Sequence, residues 1–243
     1  MKAIILAAGM GNRLGGITKT KPKALVRILD KEMLSYTINM AGYINISEIV
    51  IVGGSGFKQL SNYLISNYPN ITLVENTDYK KGNLYSLQNC LPFMDDDFFI
   101  FNVDHFFSKS LLNKIICFCD GEKNIKVFCD KSNQILKDQM KVICNKGYMQ
   151  EMSKQLINYD TGYIGLAFCP KAMLETLKRA VITQINGKGS AAITEDIFNY
   201  LSNKNERSIF IADVSNHYWF EVDTANDISY ANFLLRKYPD YWA

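Results

Sequence analysis

The chain has 243 residues, of which 48% are hydrophobic and 21% are charged, a composition typical of a globular protein that can bury a full core. Its formal net charge of +3 is too small to indicate a nucleic-acid partner, and no apolar run is long enough to span a membrane. The six cysteines form no CxxC pair, so we expect reduced core thiols and a cytoplasmic protein.

Apolar, β-rich runs alternate with helical patterns along the first half of the chain, which predicts a largely parallel sheet with crossover helices. The predicted strands are Lys2–Leu6, Glu48–Val52, Thr72–Glu75, Phe98–Val103 and Ile125–Cys129. The predicted helices, each with apolar residues at helical spacing, are Met33–Tyr43, Lys58–Asn67, Leu84–Leu91 and Ser108–Asp120. Ser108 has a side chain that can cap the fourth of these helices.

The second half of the chain is less regular but has no internal repeat and no linker, so we expect one domain. The predicted elements are β-rich stretches around Met140–Met152 and Gly162–Phe168, helices over Lys171–Thr183 and Glu195–Leu201, and a strand over Tyr218–Val222. A last helix follows this strand, because Thr224 and Asp227 have the spacing of a capping box.

The first strand runs into a turn of small residues, Leu6 to Arg13, and Lys23 follows ten residues later. Its glycines, Gly9, Gly11 and then Gly15, do not fit GxGxxG, and GxxxxGK[ST] is absent, which excludes a dinucleotide-binding turn and a P-loop. Small residues let the backbone lie close to a base and a polyphosphate, and the two cations can bind phosphate oxygens. A purely structural turn is the alternative.

Two acidic residues follow predicted strands. Asp104 comes directly after the apolar Phe98–Val103 run, and Asp223 follows Tyr218–Val222. The carboxyl edge of the sheet, where Asp104 is expected, is where open α/β sheets bind ligands, and two carboxylates that converge from separate strand ends make an oxygen site that suits Mg²⁺. A helix-capping role is the alternative for each. His105, beside Asp104, is a weaker candidate for an acid or base.

Three further segments are candidates for lining the site, with ordinary turn and cap duty as the alternative. Gly82 to Ser86 opens a predicted helix, where backbone N–H groups can bind a base or sugar. Asp160 to Gly162 and Thr194 to Asp196 are candidates for facing a second substrate. Lys154 precedes the first of these and is placed to bind a phosphate.

The segments LAAGMGNRL and KPKALV resemble the signature of the sugar-1-phosphate nucleotidyltransferases. The later segments that follow this family's order are Gly53–Gly54, Gly82–Asn83, Asn102–Asp104, Lys154, Asp160–Gly162 and Val222–Asp223. One departure is that Asn102 and Val103 precede the acid where many relatives carry Gly-Asp. The spacing of the lysine loop and the Asp104-His105 pair are similar to those of the compact cytidylyltransferases that act on non-sugar phosphates.

The resemblance implies a Rossmann-like, mostly parallel mixed sheet flanked by helices, in one domain. Its nucleotide-binding part covers about residues 1–130 and its acceptor-side part about 131–243. It further implies CTP as the nucleotide and Mg²⁺ held by Asp104 and Asp223, with Arg13 and Lys23 as catalytic cations on the triphosphate. The residues it assigns to the nucleotide are Leu6, Ala7, Ala8, Gly9, Gly11, Asn12, Gly54, Gly82, Asn83, Ser86 and Asn102. Those assigned to the acceptor are Lys154, Asp160, Thr161, Gly162 and Glu195.

The activity implied is transfer of CMP to a small phosphorylated acceptor with release of pyrophosphate. The acceptor that the resemblance favours is L-glutamine phosphate, in capsule phosphoramidate assembly, with phosphocholine, inositol phosphate or a sugar 1-phosphate as alternatives. A metal-dependent glycosyltransferase is a rival, because Asn102-x-Asp104 resembles a DxD-type site, and a silent nucleotide sensor is another. No residue pattern identifies the nucleobase. The sequence also leaves the oligomeric state open, and a homodimer is compatible with it.

Overall fold

A computed structural model describes residues 1–119, 123–132 and 135–243. Its strands, numbered in chain order, are β1 Lys2–Ala7, β2 Arg27–Ile28, β3 Lys31–Glu32, β4 Glu48–Gly53, β5 Thr72–Glu75, β6 Phe98–Asn102, β7 His105–Phe107, β8 Ile125–Asp130, β9 Lys141–Asn145, β10 Tyr148–Ser153, β11 Thr161–Cys169, β12 Ile209–Asp213 and β13 Trp219–Glu221. Its α-helices are α1 Met33–Tyr43, α2 Phe57–Asn67, α3 Leu84–Asn89, α4 Lys109–Ile116, α5 Leu174–Lys188, α6 Glu195–Lys204 and α7 Ala225–Lys237. The predicted end of the fourth helix, Asp120, lies outside the described residues.

Within the described ranges, nine strands form one mixed sheet in the order β5-β4-β1-β6-β11-β8-β12-β10-β9. Strands β5, β4, β1 and β6 are parallel, and β11 runs antiparallel between β6 and β8. This mixed α/β architecture is the one expected from the sequence. The division into a nucleotide-binding and an acceptor-side part at about residue 130 stays a prediction.

Helices cover both faces of the sheet, because alternate residues of each buried strand point to opposite sides. Ile4 of β1 packs in one apolar cluster with α3, α5 and α6, while Ala3 and Ile5 pack in another with α1, α2 and α4. Among the described residues, no helix is both long enough and apolar enough to cross a bilayer.

The predicted helix caps form. Ser108 Oγ accepts a hydrogen bond from Leu111 N (3.3 Å), and Thr224 and Asp227 make the reciprocal bonds of a capping box at α7. Asp104 therefore does not cap α4, since β7 separates the two. Cys90 and Cys129 are buried as expected, but Cys117 is exposed because it follows the last turn of α4.

Two features of the sheet differ from the sequence prediction. Strand β12 was not predicted, yet it lies inside the sheet between β8 and β10. The predicted strand over Tyr218–Val222 does not join this sheet. It forms β13, which pairs antiparallel with β7 in a two-stranded ribbon, with Glu221 opposite His105 and Trp219 opposite Phe107.

Candidate active site

A pocket of about 680 Å³ opens at the carboxyl ends of β1 and β6. This is the edge of a parallel sheet at which α/β proteins bind ligands. The predicted site residues that line it are Leu6, Ala8, Gly9, Asn83, Ser86, Asn102, Asp104, Lys154 and Glu195. The pocket therefore brings together residues predicted for the nucleotide, for the metal and for the acceptor.

The turn after β1 is built around Gly11. This residue has a φ of 65°, and a Cβ added to it would lie 2.9 Å from Thr18 Cγ2 and 3.1 Å from the Cβ of Lys23. Thr18 Oγ1 donates a hydrogen bond to the Gly11 carbonyl (2.9 Å), which closes the turn. Glycine is needed here because a larger residue would adopt a strained backbone and push against the segment that carries Lys23.

Two cations and two carboxylates meet beside the pocket, and we call Arg13, Lys23, Asp104 and Asp223 the charge cluster. The Nζ atom of Lys23 lies 2.5 Å from Asp104 Oδ2 and 2.5 Å from Asp223 Oδ1. Arg13 Nη2 lies 2.5 Å from Asp223 Oδ2, and its Nη1 donates to Asp138 Oδ2 at 2.8 Å. Lys23 is 81 residues from Asp104 and 200 from Asp223 along the chain, so only the fold brings them together.

The two carboxylates reach the cluster by different routes. Asp104 follows β6 of the main sheet, as predicted, whereas Asp223 follows β13 of the separate ribbon. The two carboxylates therefore converge from separate strand ends, but the strand that precedes Asp223 lies outside the main sheet. The ribbon still aligns them, because Val222 N donates to the Asp104 carbonyl at 2.9 Å.

Mutual attraction keeps the buried members of the cluster charged. Burial lowers the pKa of Lys23, but the adjacent Asp104 and Asp223 outweigh it and raise that pKa above its ordinary value. Burial likewise opposes ionisation of Asp104, yet Lys23 and His105 hold its pKa well below the usual range. Removing one partner would leave an uncompensated charge in a place that water hardly reaches.

Residues 3–195 match the family described as the MobA-like NTP transferase domain. The chain belongs to this family. It is 26% identical over 241 residues to the bifunctional IPC transferase and DIPP synthase of Aquifex aeolicus, covering 97% of this chain and 52% of that protein. It is 31% identical over 185 residues to the CTP:phosphoglutamine cytidylyltransferase of Campylobacter jejuni, covering 68% of this chain and 72% of that protein.

The structure of the inositol-1-phosphate CTP transferase from T. maritima has the same fold, with a TM-score of 0.83 at 22% identity over 100% of this chain and 97% of that one. The resemblance noted from the sequence is thus confirmed for the family and for the fold. The chain spans about half the length of the first curated relatives that it matches, at 52%, 44% and 50%.

Some residues of this NTP transferase domain that were predicted to bind the nucleotide do not line the pocket. A Cβ on Gly54 would lie 2.4 Å from Tyr79 Cβ, and one on Gly82 would lie 1.8 Å from the Ala192 carbonyl oxygen. Both glycines therefore allow close backbone packing. Ala7 is buried within β1, and Asn12 is exposed at the start of the loop that carries Arg13.

The acceptor-side residues divide into two groups. Lys154 and Glu195 line the pocket, and burial raises the pKa of Glu195, which is only 9% exposed. Asp160 instead accepts a hydrogen bond from Cys144 N (2.8 Å), and Thr161 is buried at the start of β11. Gly162 lines a neighbouring cavity of about 490 Å³. At this position β11 packs beside residues 135–139, most of which line the same cavity.

The sequence analysis missed two residues of the ribbon. Glu221 lies in the pocket lining, and burial raises its pKa to about 7. Trp219 lines the pocket as well, and its ring is parallel to that of His105, with centroids 6.1 Å apart. The period of two along a strand puts Trp219, Glu221 and Asp223 on one side, a signal that could have found both. Asp138, by contrast, carries no such signal.

The donor atoms of the charge cluster fit a divalent cation. Asp104 and Asp223 present carboxylate oxygens to a single point, since one ammonium group touches both. Asp104, His105 and Glu221 also offer one ligand atom each within 4.8 Å of one another. Hard oxygen donors of this kind suit Mg²⁺, which binds to one or two carboxylates together with substrate phosphates.

Proposed function

We propose that this chain transfers a cytidylyl group from CTP to a small phosphorylated acceptor and releases pyrophosphate. The observation that carries the proposal is the charge cluster, in which Arg13 and Lys23 face the carboxylates of the pocket edge at 2.5 Å. CTP is the proposed nucleotide because the relative from Campylobacter jejuni and the structure from T. maritima are both named for it.

The reaction needs positioned charge more than it needs a base. A phosphate monoester has a second pKa of about 6, so the acceptor oxygen is already anionic near neutral pH. This oxygen attacks the α-phosphorus of CTP, and the new P–O bond forms as the bond to the bridging oxygen of the leaving pyrophosphate breaks. Catalysis then consists of holding two anions together and neutralising the charge on the leaving group.

Arg13 and Lys23 supply that neutralisation. A triphosphate brings roughly four negative charges, and each opposite charge at about 4 Å is attracted by about 4 kcal/mol at an effective dielectric near 20. Arg13, which is half exposed, can leave Asp223 and grip phosphate oxygens with its planar fork. Lys23 can turn from its carboxylates to the phosphates as a point charge.

The carboxylates released by this exchange would hold the metal. Asp104 and Asp223 are the proposed ligands of Mg²⁺, which when bound supplies positive charge to the phosphate oxygens of the nucleotide. The chain's own part is to keep both carboxylates ionised and pointing to one place, as the lowered pKa values of Asp104 and Asp223 support.

The remaining pocket residues are proposed to orient the two substrates. The small residues Ala8 and Gly9, with Asn83 and Ser86 at the start of α3, line the part proposed for the nucleoside. Lys154 is proposed for the acceptor phosphate. Glu195 belongs to the same group, and we call Lys154 and Glu195 the acceptor wall.

L-glutamine phosphate is the acceptor that we propose to test first. The Campylobacter jejuni relative is named for phosphoglutamine, and at 31% it is the more identical of the two relatives compared above. The pocket also offers both signs of charge near the acceptor wall, since Lys188 and Asp196 line it as an ion pair of 2.5 Å. An amino acid carries both signs as well.

The proposal is tested by measuring pyrophosphate release from each nucleoside triphosphate with a panel of acceptors. The panel contains L-glutamine phosphate, phosphocholine, inositol 1-phosphate and glucose 1-phosphate. We expect release with CTP and L-glutamine phosphate, and a CMP-linked product by mass spectrometry. Preference for another nucleotide would refute the assignment of CTP, and no release with any pair would refute nucleotidyl transfer.

A matched pair of variants ties the activity to the charge cluster. Asp104→Asn keeps the shape of the side chain but removes its charge, so we expect pyrophosphate release to be lost. Asp78→Asn is the control, because Asp78 is also paired with a lysine, Lys81 at 3.0 Å, but lies on the surface. Equal activity in the two variants would remove the cluster from the reaction.

A further inference from the structure

His105 is one of two histidines in the chain, and it is buried next to a residue of the charge cluster. It follows Asp104 directly and begins β7, and its side chain is 7% exposed. Buried polar side chains are normally hydrogen-bonded, so what sets His105 apart is that its partner is Asp104, a residue of the charge cluster.

The backbone of β11 is shaped around the His105 ring. Gly165 has a φ of 74°, and the pairing of β11 with β8 shifts in register between Tyr163 and Ala167. A Cβ on Gly165 would lie 2.4 Å from His105 Nε2, so any larger residue would displace the ring. Together with the parallel ring of Trp219, this close approach fixes the imidazole in one orientation.

The fixed ring points one nitrogen at Asp104. His105 Nδ1 lies 2.7 Å from Asp104 Oδ1, while the other carboxylate oxygen, Oδ2, is the one that contacts Lys23. An ionised carboxylate can only accept hydrogen bonds, so Nδ1 must carry the proton and donate it. Oδ1 of Asp104 therefore accepts a hydrogen bond from His105, and Oδ2 faces the ammonium group of Lys23.

We propose that His105 is a positioning residue. Its Nδ1–H fixes the rotation of the Asp104 carboxylate, so that Oδ2 faces the point beside Lys23 where Asp104 and Asp223 would hold the metal. The inference rests on the proposed function, because it gives Asp104 the role of a metal ligand. Hydrogen bonds to the groups that ligate a metal typically change its affinity by about 10- to 100-fold. Nδ1 is engaged by Asp104 and is not free to exchange a proton with a substrate, while Nε2 lies 4.0 Å from Oε2 of Glu221.

The test compares two substitutions that separate the ring from the donor. His105→Phe keeps an aromatic ring of similar size but has no Nδ1–H, whereas His105→Asn keeps an N–H donor at the same position without the ring. Mn²⁺ binding is followed by the electron paramagnetic resonance signal of the free ion, with and without α,β-methylene-CTP. His217→Phe is the control, because His217 Nδ1 hydrogen-bonds with Ser110 Oγ (3.2 Å) and not with a carboxylate of the charge cluster.

We expect H105F to bind Mn²⁺ about 10- to 100-fold more weakly than wild type, H105N to recover most of the loss, and H217F to match wild type. Equal affinity in H105F and wild type would overturn the inference. So would an H105N variant as weak as H105F, which would instead indicate that His105 ligates the metal through Nε2. If H105F does not fold, His105→Leu provides the same comparison, since it also lacks a donor.

A spectroscopic measurement tests the hydrogen bond itself. With only two histidines, the ¹⁵N spectrum of the ring nitrogens is assigned by comparison with H217F. We expect Nδ1 of His105 to carry a proton, and an unprotonated Nδ1 would overturn the inference. A wild-type protein that binds no Mn²⁺ would overturn the metal site of the proposed function, and that failure is distinct from equal binding by wild type and H105F.

Discussion

The charge cluster lies beside the pocket that the acceptor wall lines, and the two groups balance their charges in different ways. In the charge cluster, each cation touches a carboxylate at 2.5 Å, and attraction keeps Lys23 and Asp104 ionised. In the acceptor wall, Lys154 is exposed, while burial raises the pKa of Glu195. A ligand at the cluster would therefore have to exchange ion-pair partners, whereas the proposed acceptor would meet a buried carboxyl group at the acceptor wall.

Of the substitutions that distinguish the charge cluster from the acceptor wall, we expect the largest effect on turnover at Lys23. Lys23→Met keeps the length of the side chain but removes the charge that is proposed to neutralise the leaving group, and we expect turnover to fall by about 10²- to 10³-fold. Steady-state pyrophosphate release measures this, and circular dichroism checks that the variant folds. Lys21→Met is the matched control, because Lys21 is exposed in the same loop. Near wild-type turnover of K23M would remove Lys23 from the mechanism.

A smaller and more selective effect is expected at the acceptor wall. Glu195→Gln removes a buried charge that a hydroxyl or ammonium group of the acceptor would meet. We expect the KM for the acceptor to rise by about tenfold, which corresponds to about 1.4 kcal/mol, while the KM for CTP is unchanged. Glu151→Gln, an exposed carboxylate of the same pocket, is the control. An equal rise in both KM values would contradict the separation of the two regions.

The pH dependence of stability sharpens the comparison at Glu221, which lies between the two regions. Burial raises its pKa from an ordinary value near 4.5 to about 7. Because the folded state holds this proton more tightly than the unfolded state, Glu221 favours unfolding increasingly as the pH rises from about 4.5 to 7. We expect the urea midpoint of Glu221→Gln to decline less over this range than that of wild type. Identical slopes would show that the pKa of Glu221 is the same in the folded and unfolded states.

The smallest effect is expected at Asp138, the outermost contact of the charge cluster. Its ion pair with Arg13 is 2.8 Å long, but both side chains are more than half exposed. Exposed pairs contribute about 0–1 kcal/mol, so Asp138→Asn should change the free energy of unfolding by less than about 1 kcal/mol. Urea denaturation measures this change. If Asp138→Asn lowered the free energy of unfolding as much as Asp104→Asn does, the charge cluster would extend to Asp138 as one buried network.

The parts of the fold that sequence predicted best are those with a strong local period. The strands around Ile4 and Ile100 and the helices over Met33–Tyr43 and Phe57–Asn67 follow their apolar patterns closely. Strand β12 was missed although its signal resembles that of the strands that were predicted, since Ile209 to Ala212 form a continuous apolar run. The pairing of β13 with β7 was not predicted, because a run of apolar residues does not say which strand it will pair with.

The sequence alone was enough to name the residues that we propose carry the chemistry: a glycine turn, two cations in fixed order after it, and two acids at the ends of apolar runs. These follow from covalent neighbours and from the period of a strand, which act over a few residues. Only the tertiary structure decided that Lys23 lies between Asp104 and Asp223, that the second acid arrives on a ribbon, and that Gly165 fixes His105. Such contacts join residues up to 200 positions apart, and the pairing of distant strands sets them.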